Sequence, residues 1–133
     1  MTTLTEKKYV SDLVKEEPHR QISRKLGTIS SAYAAVMPQF TVLGKVTASG
    51  KYLPYTPGAS NGTEVAAAIL LHGPAGATAD ATSADVPKCV LLRGLAVVSK
   101  AFLVWGAAVT TQAHKDAAYA ALEAANLMTS EPS

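Results

Sequence analysis

Between Thr41 and Trp105, small apolar residues alternate with glycine, proline and polar turn residues at short intervals. This is the pattern of a compact sheet domain. Phe40 to Val46 predicts a first strand, with Val42, Gly44 and Val46 on one face and Leu43 and Lys45 on the other. Ala48-Ser49-Gly50 is a tight turn, so Lys51 to Tyr55 returns as a second strand. Pro54 cannot donate to a ladder, which places that strand at a sheet edge. Pro57-Gly58 and Asn61-Gly62 are turn signals. Glu64 to Leu71 is almost continuously apolar, consistent with a strand buried on both faces. Gly73 to Pro87 reads as a long, solvent-facing loop of small residues. Cys89 to Arg93 and Ala96 to Val98 predict strands around Gly94, and Ala101 to Trp105 predicts the last. Past Gly106, Thr111 caps a helix from Gln112 to about Ala125, with Asn126 as its C-cap. Ala113, Ala117, Ala120, Ala121 and Ala124 predict the face by which it lies on a sheet, and Thr129 to Ser133 a loose polar end.

The first third of the chain has a different texture. Thr5 can cap a short helix with Tyr9, Val10, Leu13 and Val14 on its apolar side, and Pro18 ends it. From His19 to Ile29 charged residues alternate loosely with Ile22, Leu26 and Ile29. So little apolar area does not fold alone, but an extended segment of this kind can add a strand to a partner's sheet edge. With Pro38 marking where the domain begins, the expected division is an N-terminal arm over residues 1–37 and a β-rich domain over residues 38–133.

Composition sharpens this division. A chain of 133 residues is one domain with room for an arm. Apolar residues make up 48% but aromatics only 6%, so the core is built from small side chains in thin layers. Such domains gain from oligomerising. Residues 1–26 carry six basic and four acidic groups, and the rest of the chain six of each. That mixed-sign arm is not the concentrated basic face of a nucleic-acid binder. A single cysteine, Cys89, excludes an intramolecular disulfide. The first residues lack an apolar signal segment and no stretch is long enough to span a membrane, so the expected setting is a cytoplasm or a particle assembled there. In that setting the sequon Asn61-Gly62-Thr63 reads as a turn.

The side chains that carry chemistry are few and scattered. Cys89 could act as a nucleophile with His72 or His114 as base, but it lies in an apolar strand, where cysteine behaves as a small hydrophobe. His19, His72 and His114 fall on three elements and give no metal-ligand spacing with one thiol. Asp80, Asp85 and Asp116 are too dispersed for a calcium loop. His72-Gly73-Pro74-Ala75-Gly76-Ala77 lacks the Gly-Lys-Ser/Thr helix start of a phosphate loop. Gly44-Lys45-Val46-Thr47 and Gly50-Lys51-Tyr52 fail the same test. Trp105, the lone tryptophan, reads as a core or interface residue rather than a ligand platform. Arg20, Arg24 and Lys25 have no aromatic platform for base stacking and read as part of a partner-docking arm. No catalytic, cofactor or metal residues are expected, and the chain does not read as an enzyme.

Several segments taken in order carry a resemblance. These are Ile22-Ser23-Arg24-Lys25, the "V-L-G-K-V-T" of Val42 to Thr47, and "G-K-Y-x-P-Y" from Gly50 to Tyr55. Ala68-Ile69-Leu70, the "V-x-x-R-G" of Val90 to Gly94, Phe102 to Trp105 and the terminal alanine-rich helix follow. No one motif is specific, but their order and spacing are. Over residues 17–128 the chain resembles the head decoration proteins of tailed bacteriophages, the lambda-type capsid-stabilising family. It departs from the family pattern at Lys25, where a Glu is usual after Ser-Arg, and at Ala68, where a Gly is usual.

The resemblance implies an α+β fold: a small β-rich, β-tulip-like domain with a C-terminal Ala-rich helix and an extended arm. It implies a homotrimer at local three-fold positions on the outer surface of an expanded phage head, assembled in the host cytoplasm. There it stabilises the head against packaged-DNA pressure, with the major capsid protein as partner and no nucleic-acid or membrane contact. The implied capsid-binding arm residues are Glu17, Pro18, His19, Arg20, Ile22, Ser23, Arg24, Lys25 and Leu26. Tyr52, Tyr55 and Trp105 are the implied core or trimer-interface residues. Two other readings remain open on the residues alone. One is a small cytoplasmic β-barrel binding module for peptide or nucleic acid, which salt-sensitive DNA binding would support. The other is a small hydrolase, whose turnover Cys89→Ser would abolish.

Overall fold

The computed structural model describes residues 14–16, 24–93, 96–124 and 127–130. Ten strands and one helix follow in chain order. They are β1 (Val14–Glu16), β2 (Arg24–Ile29), β3 (Val36–Met37), β4 (Val42–Lys45), β5 (Tyr52–Pro54), β6 (Ala66–His72), β7 (Ala79–Asp80), β8 (Val86–Leu92), β9 (Ala96–Ser99), α1 (Gln112–Ala124) and β10 (Leu127–Ser130). The expected β-rich fold with a C-terminal helix is the one found.

Five strands close a barrel in the order β2-β5-β4-β6-β8. β4 runs antiparallel to β5 and β6, β6 to β8, and β8 to β2. The seam is the brief parallel contact of β2 with β5 at Ile29 and Tyr52, extended by Ser30 N–H donating to Tyr52 O at 3.0 Å. β5 is therefore not an edge strand. Tyr55 N–H donates to Val42 O on β4, so the neighbouring Pro54 nitrogen faces the other way, past the end of β2. The proline is tolerated because nothing there needs its missing donor.

Alternation along the strands feeds two cores. Val42 faces the outer core and Leu43 the barrel lumen, as the first strand predicted. On β6, Ile69 and Leu71 join the outer core and Ala68 and Leu70 the lumen, so this strand is buried on both faces. The lumen also takes Ile29, Met37, Tyr52, Cys89 and Leu91. Gly27 points inward too, since a Cβ there would lie 2.5 Å from Leu91 Cδ1 and 3.0 Å from the Tyr52 ring.

The outer core lies beneath α1 and a small sheet in which β9 pairs antiparallel with β1 and parallel with β10. Ala118 and Leu122 of α1 are fully buried against it, with Tyr119 and Ala121 alongside. The predicted alanine face is displaced: Ala113, Ala117, Ala120 and Ala124 are exposed. Burial follows apolar area, and Leu122 and Tyr119 carry more of it than any alanine. Alanine marks where a helix forms easily, not which side packs.

Other expectations are corrected by pairing that sequence alone does not reveal. Arg24–Ile29 is a barrel strand and Ile29 and Met37 are fully buried, so residues 24–37 belong to the body rather than to an arm. Val14 lies in a strand, not a helix, opposite Val98. The rest of that expected helix, and Glu17 to Ser23, lie outside the described residues. Within the expected loop, β7 pairs with β3 and buries Ala79, while Ala81 is buried beside it and Pro87 sits in β8. Only Pro74 to Thr78 forms an unbroken exposed run there of five residues. Ala101 to Trp105 is not a strand. Lys100–Phe102 is a 3-10 turn, and Val104 then bridges Thr41. Thr129 and Ser130 are held in β10, while Ala125 and Asn126 lie outside the described residues.

Candidate functional site: surfaces for assembly

The reactive groups are placed for structure. Cys89 is fully buried in the lumen, where its thiol donates to Val86 O at 3.3 Å and burial pushes its pKa up. A thiol so placed is disfavoured as thiolate, the form a nucleophile needs. His72 lies on β6 with Nδ1 3.0 Å from Gly73 O. His114 lies in the first turn of α1, where its Nδ1 accepts from Thr110 N–H at 3.2 Å. Its own N–H donates to Thr111 Oγ1 at 3.3 Å, the cap the sequence predicted. Among the described residues no three His, Cys, Asp or Glu side chains gather as a metal site. No helix there is long and apolar enough to cross a membrane.

What the fold presents instead is surface. On β2, Gly27 and Ile29 take the lumen side, which turns Leu26 outward. Leu26 is 63% exposed, the largest exposure among the big apolar side chains of the described residues. It pairs with Val90, which is half-buried against the outer core. The outer layer thus reaches β8 and stops short of β2. Lys25 leans over the Tyr52 ring, with Nζ 5.7 Å from its centroid. Of the predicted arm residues, Arg24, Lys25 and Leu26 therefore sit on a barrel strand, and Glu17, Pro18, His19, Arg20, Ile22 and Ser23 lie outside the described residues.

The second surface surrounds Trp105. Its ring stands edge-on to Tyr55 at 6.4 Å and to Tyr119 at 5.6 Å. Lys115 lies 5.8 Å over Trp105 and Lys100 4.4 Å over Tyr119. Tyr55 is buried; its hydroxyl donates to His114 O at 2.9 Å, and burial pushes its pKa up. Tyr52 fills the lumen and Tyr55 the outer core, while Trp105 is half-buried against the outer core. Tyr119, unremarked in the sequence, joins this cluster because it lies three positions from buried Leu122, on the flank of the packed helix face.

A third contact fixes the barrel mouth. Asp85 accepts from Ser31 N–H at 2.7 Å and pairs with Lys51 at 2.5 Å. Those partners hold its carboxyl down at about 2. It ties the turn after β2 to the approach of β5 and the start of β8.

The sequence model of the family described as bacteriophage lambda head decoration protein D matches residues 3–127. The chain belongs to this family. No curated protein matched the chain. As a lambda head decoration protein D family member it is a structural phage protein with a capsid decoration role, in a family that is not an enzyme family. Its place is the virion capsid. Lys25 and Ala68, which depart from the expected family pattern, sit without disruption on β2 and in the lumen.

Proposed function

We propose that this decoration protein acts as a homotrimer on the outer surface of the expanded head, at local three-fold positions, bracing it against the pressure of packaged DNA. Its partner is the major capsid protein, met during assembly in the host cytoplasm. The observation that carries the reading is the family match over residues 3–127. Two surfaces support it. Leu26 stands exposed on β2, three positions after Ser23, so a docking arm over residues 17–23 and an apolar contact lie close together in the chain. The half-buried Trp105 cluster offers aromatic area suited to a subunit contact.

A trimer engages several capsid subunits at once, so weak arm contacts multiply through effective concentration. The arm of this proposal is residues 17–23, between β1 and β2, with Leu26 as its last contact. Binding to purified expanded and immature heads tests the function, with an occupancy count on the decorated particles. Saturation at three copies per three-fold position on expanded heads supports it. Equal binding to both head forms, or a stable dimer that never occupies those positions, overturns it.

A further inference from the structure

The turn before β6 holds a cluster of polar groups that packing alone does not require. Asn61 Oδ1 accepts two bonds from Thr63, from its N–H at 3.1 Å and from its hydroxyl at 2.6 Å. The backbone N–H can only donate, so the atom facing Thr63 is the carbonyl oxygen and the amide nitrogen points elsewhere. The next residue, Gly62, donates its backbone N–H to Glu64 Oε1 at 2.8 Å. Gly62 has φ +109°, and a Cβ there would collide with Lys45 O and Thr47. Thr47 N–H donates to Asn61 O at 2.8 Å, which fixes the turn against the strand β4 leaves. Thr63 is buried, whereas Asn61 and Glu64 are exposed.

We propose that Asn61-Gly62 is a self-modifying site. The Gly62 nitrogen attacks Asn61 Cγ, with Glu64 as base and Thr63 as oxyanion donor, converting Asn61 to aspartate or isoaspartate through a succinimide. The hydrogen bonds supply a base and an oxyanion site for an acyl transfer. An amide nitrogen is a poor nucleophile until its proton is removed, and Glu64 already accepts that N–H. A carbonyl under attack places negative charge on its oxygen, and two donors already point at Oδ1. Gly62 carries no side chain, so its own residue adds no bulk beside the attacking nitrogen.

The electron and proton balance closes without a further reagent until water enters. The Gly62 proton passes to the Glu64 carboxylate as the N–Cγ bond forms and the carbonyl π pair moves onto Oδ1. On collapse the Cγ–Nδ2 bond breaks, and Nδ2 takes the proton from Glu64 and leaves as ammonia. The five-membered imide that remains is opened by water at either carbonyl. One opening gives an aspartate with the normal backbone. The other gives isoaspartate, which routes the main chain through the side-chain carbon. Either product adds a negative charge beside Glu64, and the isoaspartate lengthens the turn that Thr47 clasps.

Peptide mapping by mass spectrometry, after incubation of the full chain at neutral pH, tests this. The chain unfolded in urea serves as reference, and Asn126, followed by Leu127, as the internal control. Asn61 is expected to convert at least about tenfold faster folded than unfolded, a modest return for general-base assistance. Hydroxylamine should cleave the chain between Asn61 and Gly62. Glu64→Gln, whose amide oxygen can still accept from Gly62, should remove the folded-state acceleration and leave the unfolded rate unchanged. Thr63→Val should slow the folded rate and Thr63→Ser should keep it. A folded rate at or below the unfolded rate overturns the proposal, as does a folded Glu64→Gln that converts as fast as the native chain. If Glu64→Gln does not fold, the native folded-to-unfolded ratio decides alone.

Discussion

Lys88 has φ +61°, in the left-handed region. It occupies a bulge: β2 covers Gly27 to Ile29 while β8 covers Cys89 back to Val86, so β8 carries the extra residue. A non-glycine residue there costs about 1–2 kcal/mol, part of which glycine returns as entropy of the unfolded chain. Lys88→Gly should therefore leave stability unchanged or raise it by up to about 1 kcal/mol in urea unfolding. Lys88→Val should lower it by more than about 1 kcal/mol, since a β-branched residue resists that conformation. Asp85 gives a second test at this scale. Its carboxyl sits at about 2 in the folded chain against an ordinary 3.8. A depressed carboxylate adds stability that is fully present above its unfolded value and is lost as pH falls through its folded one. The thermal midpoint of the native chain should exceed that of Asp85→Asn at neutral pH, and the gap should close between pH 3.8 and about 2. The pair is partly exposed, so added salt should narrow the gap.

Among the elements, β2 separates what the sequence made legible from what it did not. The strand at Val42 and the two-sided burial of β6 were readable because their inward positions carry apolar side chains. In β2 the inward position between Lys25 and Ile29 is Gly27, which has no hydrophobic signal, while Leu26 faces out. The strand consequently reads as a solvated arm. The β3–β7 pair was hidden for a related reason, since each strand has two residues and one contributes only Ala79 to the core. The aromatic surface was legible at Trp105 but not at Tyr119, whose role depends on how α1 is rotated. Deleting residues 1–23 should abolish head decoration and lower stability, because β1 is lost from β9, whereas deleting residues 1–29 should also remove β2 and unfold the barrel. Circular dichroism and head binding separate the two. Replacing the exposed stretch Pro74 to Ala77 by a shorter turn should change neither readout. On α1, Leu122→Ala should cost about 2–5 kcal/mol, because Leu122 is fully buried. Ala120→Ser, on the exposed face, should cost about 0.5 kcal/mol or less in the same unfolding assay.

For the molecule as a whole, two thin cores rather than one thick one share the apolar residues. The proposed trimer offers a way to shield further surface. Trp105→Ala removes the ring that Tyr55 and Tyr119 both touch. It should lower the trimer population in sedimentation velocity by at least about tenfold in dissociation constant, as hot-spot aromatics do. If the mutant stays folded and sediments as the native chain, the subunit contact lies elsewhere. The barrel seam also governs the order in which this chain can be built. β2 leaves the ribosome early, yet its long pairing is with β8, and Ser31 meets Asp85 at a separation of 54 positions. The nascent chain must hold most of β2 unpaired until β8 emerges, since β5 meets only its end. Closing so long a loop late favours slow folding and leaves an open strand edge meanwhile. Slowed translation between β2 and β8 therefore prolongs exposure of Leu26 and Ile29, the apolar residues most able to capture a neighbouring nascent chain.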